Sequence, residues 1–355
     1  MSSISSSPAI SIAGRRIGPG HPVYVIAEMS ANHGQSYEKA VEIIHSMKDS
    51  GADAVKLQTY TPDTITIPSD RPEFKIGKGT LWEGKNLHQL YGEAYTPWEW
   101  QPKLKKIAES LGMHCFSSPF DDTAVDFLEK MHVPAYKIAS FEIVDIALIK
   151  KAAKTGKPLI ISTGMASLEE IQDAVDAARS EGNDQIALLK CTSAYPAEPQ
   201  EMNLRTIPDL AERFNVPAGL SDHTLGISVP VAAVALGACI VEKHFTMSRK
   251  EPGPDSAFSL EPSEFKQMVE AIRVAEKALG TASYQITEKE EASKVFRRSL
   301  FVVEDMKAGD VFTEKNVRSI RPGYGMAPKF LSEVLGKKAT KDIEGGTPLE
   351  RTFFE

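Results

Sequence analysis

Eight short apolar, β-branched runs recur along the chain, at Val23–Ala27, Ala54–Leu57, His114–Ser117, Ala135–Ala139, Pro158–Ser162, Ile186–Cys191, Pro217–Leu220 and Cys239–Val241. Stretches with helical spacing of apolar positions lie between and after them, at Tyr37–Ser50, Trp98–Leu111, Thr123–Met131, Asp145–Lys154, Ser167–Ser180, Leu204–Phe214, Ser228–Leu236 and Pro262–Leu279. Strands alternating with helices predict a parallel sheet. Eight such units in about 250 residues is the size of a (β/α)8 TIM barrel. Most runs end in a polar cluster: Glu28; Lys56 with Gln58; Ser118; Ser140 with Glu142; Ser162 with Thr163; Ser193 with Tyr195; Asp222 with His223; Glu242 with His244. Barrel enzymes build their sites at the carboxyl ends of the strands. The pattern therefore predicts an enzyme before any motif is considered.

Three segments depart from this rhythm. Residues 9–22, with Ile10, Ile12 and Ile17 around Gly14, read as a hairpin that caps the amino-terminal mouth of the barrel. Residues 60–96 form a connection far longer than an ordinary βα loop and carry Trp82, Asn86, His88, Tyr91 and Tyr95, the make-up of a functional lid. Past Gly280 the pattern changes to a charged linker, Glu288–Lys294, and then to short strands and turns. There Lys307-Ala-Gly-Asp-Val-Phe-Thr-Glu is echoed by Glu344-Gly-Gly-Thr-Pro-Leu-Glu-Arg, the sign of a small pseudo-symmetric domain. The predicted division is a hairpin over 1–22, a barrel over 23–282, a linker over 283–296 and a small domain over 297–355.

Composition narrows the function classes. The 355 residues are 42% hydrophobic and 25% charged, ordinary for a globular protein, and the net charge of −7 argues against a nucleic-acid partner. Cys115, Cys191 and Cys239 lie in or beside three different predicted strands and read as buried thiols. The polar start, without a charged-then-apolar signal, and the short apolar stretch Val229–Val241, broken by Gly237, predict a cytoplasmic protein with no membrane partner.

The sharpest chemical feature is the pair His223 and His244, each just past a strand in adjacent βα units. Two imidazoles entering one barrel mouth make a half-site for a divalent metal, completed by water or substrate oxygens. With only two protein nitrogens and hard oxygens nearby, Mn²⁺ or Mg²⁺ suits the site better than a closed structural zinc. Lys56, Lys137 and Lys190 fall within strands, where an ammonium needs an anionic partner. With Ser118, Ser140, Ser162, Ser193 and Ser221 at strand ends, they predict a phosphate or carboxylate site. Ion pairing with Glu28, Glu142 or Glu242 is the plainer explanation of the lysines. Glu28 and Glu142 themselves can bond sugar hydroxyls, stabilise a cationic transition state or move protons.

Longer phrases carry a resemblance. Ile26-Ala-Glu-Met-Ser-Ala-Asn-His33, Lys56-Leu-Gln-Thr59, Phe116-Ser-Ser-Pro-Phe120, Tyr136-Lys-Ile-Ala-Ser-Phe-Glu142, Ser162-Thr-Gly-Met165, Cys191-Thr-Ser-Ala-Tyr-Pro196, Gly219-Leu-Ser-Asp-His-Thr224, Glu242-Lys-His-Phe245 and Gly253-Pro-Asp255 span the barrel. Together with Lys307-Ala-Gly-Asp and Arg321-Pro-Gly-Tyr-Gly325 in the tail, they resemble the sialic acid synthase family, most closely its pseudaminic acid branch. N-acetylneuraminate synthases tend to carry Asn at the position of Ser193 and Gly at that of Phe141. Trp82-Glu-Gly-Lys-Asn-Leu87 and Thr96-Pro-Trp-Glu-Trp100 also look like the pseudaminic branch.

The resemblance implies a TIM barrel followed by an antifreeze-like (SAF) domain. It implies condensation of phosphoenolpyruvate (PEP) with an open-chain amino sugar, giving a nine-carbon 2-keto acid and phosphate. In the pseudaminic branch the acceptor is 2,4-diacetamido-2,4,6-trideoxy-L-altrose; N-acetylneuraminate and legionaminate synthases use related amino sugars. By the same resemblance His223 and His244 hold the metal, and Lys56, Lys137, Ser140, Ser162, Ser193 and Ser221 contact PEP. Glu28, Gln58, Glu142, Tyr195, Asp255 and Arg321 contact the sugar, and Glu28, Lys56, Tyr195 and Asp255 carry catalysis. The implied assembly is a homodimer with a swapped C-terminal domain. There are two other readings: a metal-dependent pyruvate aldolase, which uses the same barrel and histidines but needs no phosphate site, and a non-enzymatic one, an ice- or carbohydrate-binding tail on an inert barrel.

Overall fold

The computed structural model describes residues 8–77, 82–251 and 253–355. The chain divides into two compact units, residues 1–280 and 281–355. In the first, β1 (Ile10–Ile12) and β2 (Arg15–Ile17) form an antiparallel hairpin. Eight strands follow: β3 (Tyr24–Glu28), β4 (Ala54–Thr59), β5 (His114–Pro119), β6 (Tyr136–Ile138), β7 (Leu159–Ser162), β8 (Ile186–Cys191), β9 (Ala218–Asp222) and β10 (Ile240–His244). All eight are parallel, and β10 pairs with β3 to close the barrel. The TIM-barrel expectation is met.

Local chemistry explains the elements. The strands are buried almost throughout, which is why they read as continuous apolar runs rather than as alternating ones. The helix Leu168–Ser180 begins with a reciprocal cap between Ser167 and Glu170, and the helix Tyr37–Asp49 begins on the Ser36 side chain. The helix Pro262–Leu279 opens with proline, whose missing N–H costs nothing in a first turn. Ile10, Ile12 and Ile17 of the hairpin are buried in the same apolar cluster as Tyr24, Ile26, Ala54 and Phe116 of the barrel. The hairpin Arg15 also pairs with Asp53, at 2.6 Å, beside the start of β4.

The long connection after β4 has structure of its own. It carries the helices Pro62–Ile65 and Leu87–Ala94 and a short turn Pro72–Phe74, while residues 78–81 lie outside the described part. Cys115, Cys191 and Cys239 are buried free thiols. Among the described residues no helix is long and apolar enough to cross a membrane.

The second unit opens with a short helix, Glu288–Ser293, where the sequence reads as a charged linker; Thr287 caps it through Glu290. Antiparallel β11 (Ser299–Val302) and β12 (Val317–Ile320) pack over a small core of Leu300, Val302, Met306, Phe312, Val317 and Leu349. The two echoed phrases start from one antiparallel bridge and run from it in opposite directions, Lys307 and Ala308 bonding Asp342 and Gly345 bonding Asp305. Met306 and Ile343, which precede them, bridge antiparallel, and Gly309 and Gly346 both take positive φ, 90° and 92°.

Candidate active site

The carboxyl ends of the strands open into a cavity of about 580 Å³, a volume in the range of small-molecule sites. Its wall includes twelve of the residues singled out from the sequence: Glu28, Lys56, Gln58, Lys137, Ser140, Glu142, Ser162, Tyr195, Ser221, His223, His244 and Asp255. Alternation selects those that lie in strands, and the others stand just past the strand ends or in the turn after β10. Glu242 and His244 of β10 point inward, whereas Lys243 between them faces outward and pairs with Asp222 at 2.5 Å.

The same alternation corrects two expectations, for Lys190 and for Asp222. Lys190 does not enter the mouth; its neighbour Cys191 does. The Lys190 ammonium donates to the Cys191 carbonyl at 2.6 Å and to Thr192 Oγ1 at 3.2 Å. Asp222, grouped with the histidines in sequence, serves Lys243 and Thr224 on the outer face. Ser118 is buried off the cavity wall. Ser193 also lies just behind the wall, 3.9 Å from Cys191 Sγ. Arg321 belongs to the second unit, exposed at the end of β12. Of the aromatic and polar residues noted in the long connection, Trp82 and Tyr91 line the cavity, while His88 pairs with Asp63 and Asn86 caps a helix.

Charges alternate across the cavity floor. Lys137 lies 3.3 Å from Glu242, Glu242 lies 2.7 Å from Lys56, Lys56 lies 2.8 Å from Glu28, and Glu28 lies 3.1 Å from His244 Nε2. Burial alone would push both carboxyls up. His244 and Lys56 outweigh it at Glu28, and Lys137 and Lys56 outweigh it at Glu242, so both stay below the ordinary carboxylate range. Burial likewise works against the Lys56 ammonium, but Glu242 and Glu28 raise its pKa. Lys137 has the weaker hold: burial depresses it despite Glu242, and Lys56 adds repulsion.

Several buried polar atoms on this floor lack protein partners: Ser162 Oγ, Glu142 Oε2, Glu242 Oε2 and His244 Nδ1. Unmet donors and acceptors beside two ammonium groups mark a place built for a polar ligand. The turn after β7 tightens this corner. The Gly164 N–H donates to Ser140 Oγ at 3.2 Å, and a Cβ on Gly164 would stand 2.3 Å from Ser193 Oγ and 2.8 Å from Ser140 Oγ.

The imidazoles of His223 and His244 are 5.3 Å apart, centroid to centroid. His223 Nδ1 lies 2.9 Å from the Thr192 carbonyl, which can only accept, so Nδ1 carries the hydrogen, and in the neutral ring Nε2 keeps its lone pair. A backbone carbonyl that fixes the tautomer in this way is typical of a metal-ligating histidine. Among the described residues no three His, Cys, Asp or Glu side chains gather as a complete metal site.

Some site residues and site contacts escaped the sequence reading. Phe258, fully buried in the turn after β10, packs 5.0 Å from the rings of both Tyr195 and His244. Ser30 donates to Asp255, and Gln58 donates to Glu28 Oε1 at 2.9 Å. Trp82 packs on Tyr195 at 5.9 Å and its indole N–H bonds the Pro254 carbonyl at 3.0 Å. One side of the cavity is apolar, with Ile65, Ile76, Leu87, Leu90 and Phe120. Glu242 was legible, because it stands two residues before His244 and must share its face.

The sequence pattern of the NeuB family matches residues 43–284, and that of the SAF domain matches residues 297–354. The chain belongs to the NeuB family. Among relatives, the pseudaminic acid synthase of Campylobacter jejuni serotype O:23/36 is 48% identical over 332 residues, 94% of this chain and 96% of the relative. The pseudaminic acid synthase of Helicobacter pylori is 48% identical over 335 residues, 94% and 98% of the two chains. Among solved NeuB-like structures, the N-acetylneuraminic acid synthetase of Leptospira borgpetersenii, in complex with citrate, superimposes with a TM-score of 0.72 at 31% identity. That match covers 81% of this chain and 95% of the other.

Proposed function

We propose that this NeuB-family chain is a pseudaminic acid synthase, joining PEP to 2,4-diacetamido-2,4,6-trideoxy-L-altrose with release of phosphate. The observation that carries this reading is 48% identity to pseudaminic acid synthases along 94% of the chain. Identity to the N-acetylneuraminic acid synthetase is 31%. The cavity supports it, because a 6-deoxy sugar presents a methyl group and the Ile65, Ile76, Leu87, Leu90 and Phe120 side offers an apolar surface for it.

Under this reading Lys56 and Lys137, with the hydroxyls of Ser140, Ser162, Ser193 and Ser221, hold the carboxylate and phosphate of PEP. Ser162, buried without a protein partner, donates to the bound anion. Gln58, Glu142, Tyr195 and Asp255 orient the sugar, and Arg321 of a second subunit completes its binding in a homodimer. His223 and His244 fit a divalent ion, Mn²⁺ or Mg²⁺, which supplies a Lewis acid for the acceptor's aldehyde. C3 of PEP forms the new bond to the aldehyde carbon, and positive charge builds at C2. Glu28, held ionised by His244 and Lys56, stabilises that charge. Water adds to C2, and the tetrahedral intermediate expels phosphate to leave the 2-keto acid.

A panel of acceptors assayed with PEP and Mn²⁺ for phosphate release tests the reading. The diacetamido trideoxy sugar should give the highest kcat/KM. A higher value for N-acetylmannosamine overturns the acceptor, and turnover of pyruvate in place of PEP overturns the reaction.

A further inference from the structure

Lys243 is one of the least exposed residues in the protein, and it sits outside the cavity. Its ammonium is 2.5 Å from Asp222 Oδ2 and also donates to the Thr224 carbonyl; neither side chain of the ion pair has any exposure. Asp222 Oδ1 in turn accepts from the Thr224 N–H at 3.0 Å and the Thr224 hydroxyl at 2.9 Å. One lysine on β10 thus grips both residues that flank His223, and the residue after that lysine is His244. The ladder between β9 and β10 pairs Val241 with Leu220, Glu242 with Ser221 and Lys243 with Asp222, and goes no further. The two imidazoles sit one residue beyond its end, so the clamp does there what the ladder does below.

A fully buried ion pair is a poor choice for stability alone, since apolar residues of similar size often do as well or better. Its place beside both histidines gives it another purpose. We propose that Asp222 and Lys243 are positioning residues that fix the spacing of the His223 and His244 side chains and thereby set affinity for a divalent cation neither of them touches. This rests on the reading of His223 and His244 as a metal pair.

The test is direct titration of the full-length protein with Mn²⁺, followed by electron paramagnetic resonance. Removing both charges together, in Asp222→Asn with Lys243→Met, avoids stranding either one. The expected result is a dissociation constant raised about 10- to 100-fold, the usual effect of losing the groups that hold metal-binding side chains in place. PEP binding measured without metal should be unchanged. Thr224→Val, which keeps the ion pair and deletes only the hydroxyl bond, covers the case in which the double variant does not fold; its Mn²⁺ affinity should fall several-fold. Wild-type Mn²⁺ affinity in a folded variant overturns the clamp. A wild-type protein that binds no Mn²⁺ overturns the metal assignment and the clamp with it.

Discussion

The backbone N–H of Gly164 donates to the hydroxyl of Ser140 across 3.2 Å. That bond occupies one lone pair of the serine oxygen, and the glycine leaves no room for a side chain. A Cβ at 164 would meet Ser193 Oγ at 2.3 Å. Gly164→Ala should therefore displace both hydroxyls while leaving the strand beneath intact. One lost hydrogen bond to a charged ligand is worth about 1.5–3 kcal/mol, so KM for PEP should rise roughly 10- to 100-fold. Steady-state kinetics at saturating acceptor, beside an unchanged circular dichroism spectrum, checks it; an unaltered KM removes these serines from the anion site.

Lys56 stands between two buried carboxylates, 2.8 Å from Glu28 and 2.7 Å from Glu242. Lys56→Met leaves both anions with one fewer cation in a dry floor. Breaking such a buried cluster typically costs about 3–5 kcal/mol, which urea denaturation will read directly. Calorimetry should also show loss of PEP binding. A variant with wild-type stability and no PEP affinity would mean that the carboxylates find other partners and that the lysine serves the ligand alone.

The metal pair predicts that chelation abolishes turnover and that added Mn²⁺ restores it. His244→Ala should retain the fold, since the ring occupies a cavity wall, and should lose both bound Mn²⁺ and activity. Elemental analysis of the dialysed variant decides the point. Full activity without the imidazole would show that the two rings are packing partners of Phe258 and nothing more.

Much of this site was legible because strands impose a period of two and barrels gather strand ends. Once His223, His244, Lys56 and Lys137 were placed in or just past strands, their convergence followed. Lys190 shows where that reasoning slipped: being inside a strand does not say which face a residue takes, and its neighbour Cys191 took the inner one. Phe258 was not legible, and Trp82 was legible only as part of a long connection with the make-up of a lid. Both reach the site from irregular segments whose path depends on tertiary contacts, such as the Trp82 bond to the Pro254 carbonyl. The apolar cavity side was hidden for a similar reason, since Ile65, Leu87 and Leu90 carry no chemical signature until the connection folds back over the barrel mouth.

If Arg321 acts on the partner's site, an Arg321→Ala subunit and a His244→Ala subunit should complement each other. Each mixed dimer then holds one site with both residues intact, so equal mixing should recover about one quarter of wild-type activity. Differentially tagged subunits verify that mixed dimers form. Mixed dimers without activity would place Arg321 outside the partner's site.

Glu142 lines the cavity with one oxygen buried and unpartnered, and burial, against the pull of Lys137, pushes its pKa up to about 7 from an ordinary 4.5. Between those values the folded protein binds more protons than the unfolded chain. Its contribution to stability is therefore complete below about pH 4.5 and is lost as pH rises through about 7. The loss is on the order of 3 kcal/mol at most. Glu142→Gln has no such proton to lose, so its melting temperature should gain on that of the wild type as pH goes from about 5 to about 8, with the difference levelling off above. Carbon NMR of the labelled carboxyl should show the same titration near neutrality. Parallel melting curves would mean that the ionised Glu142 acquires a partner once the proton leaves, with Lys137, whose charge already pulls on it, the cation to supply one.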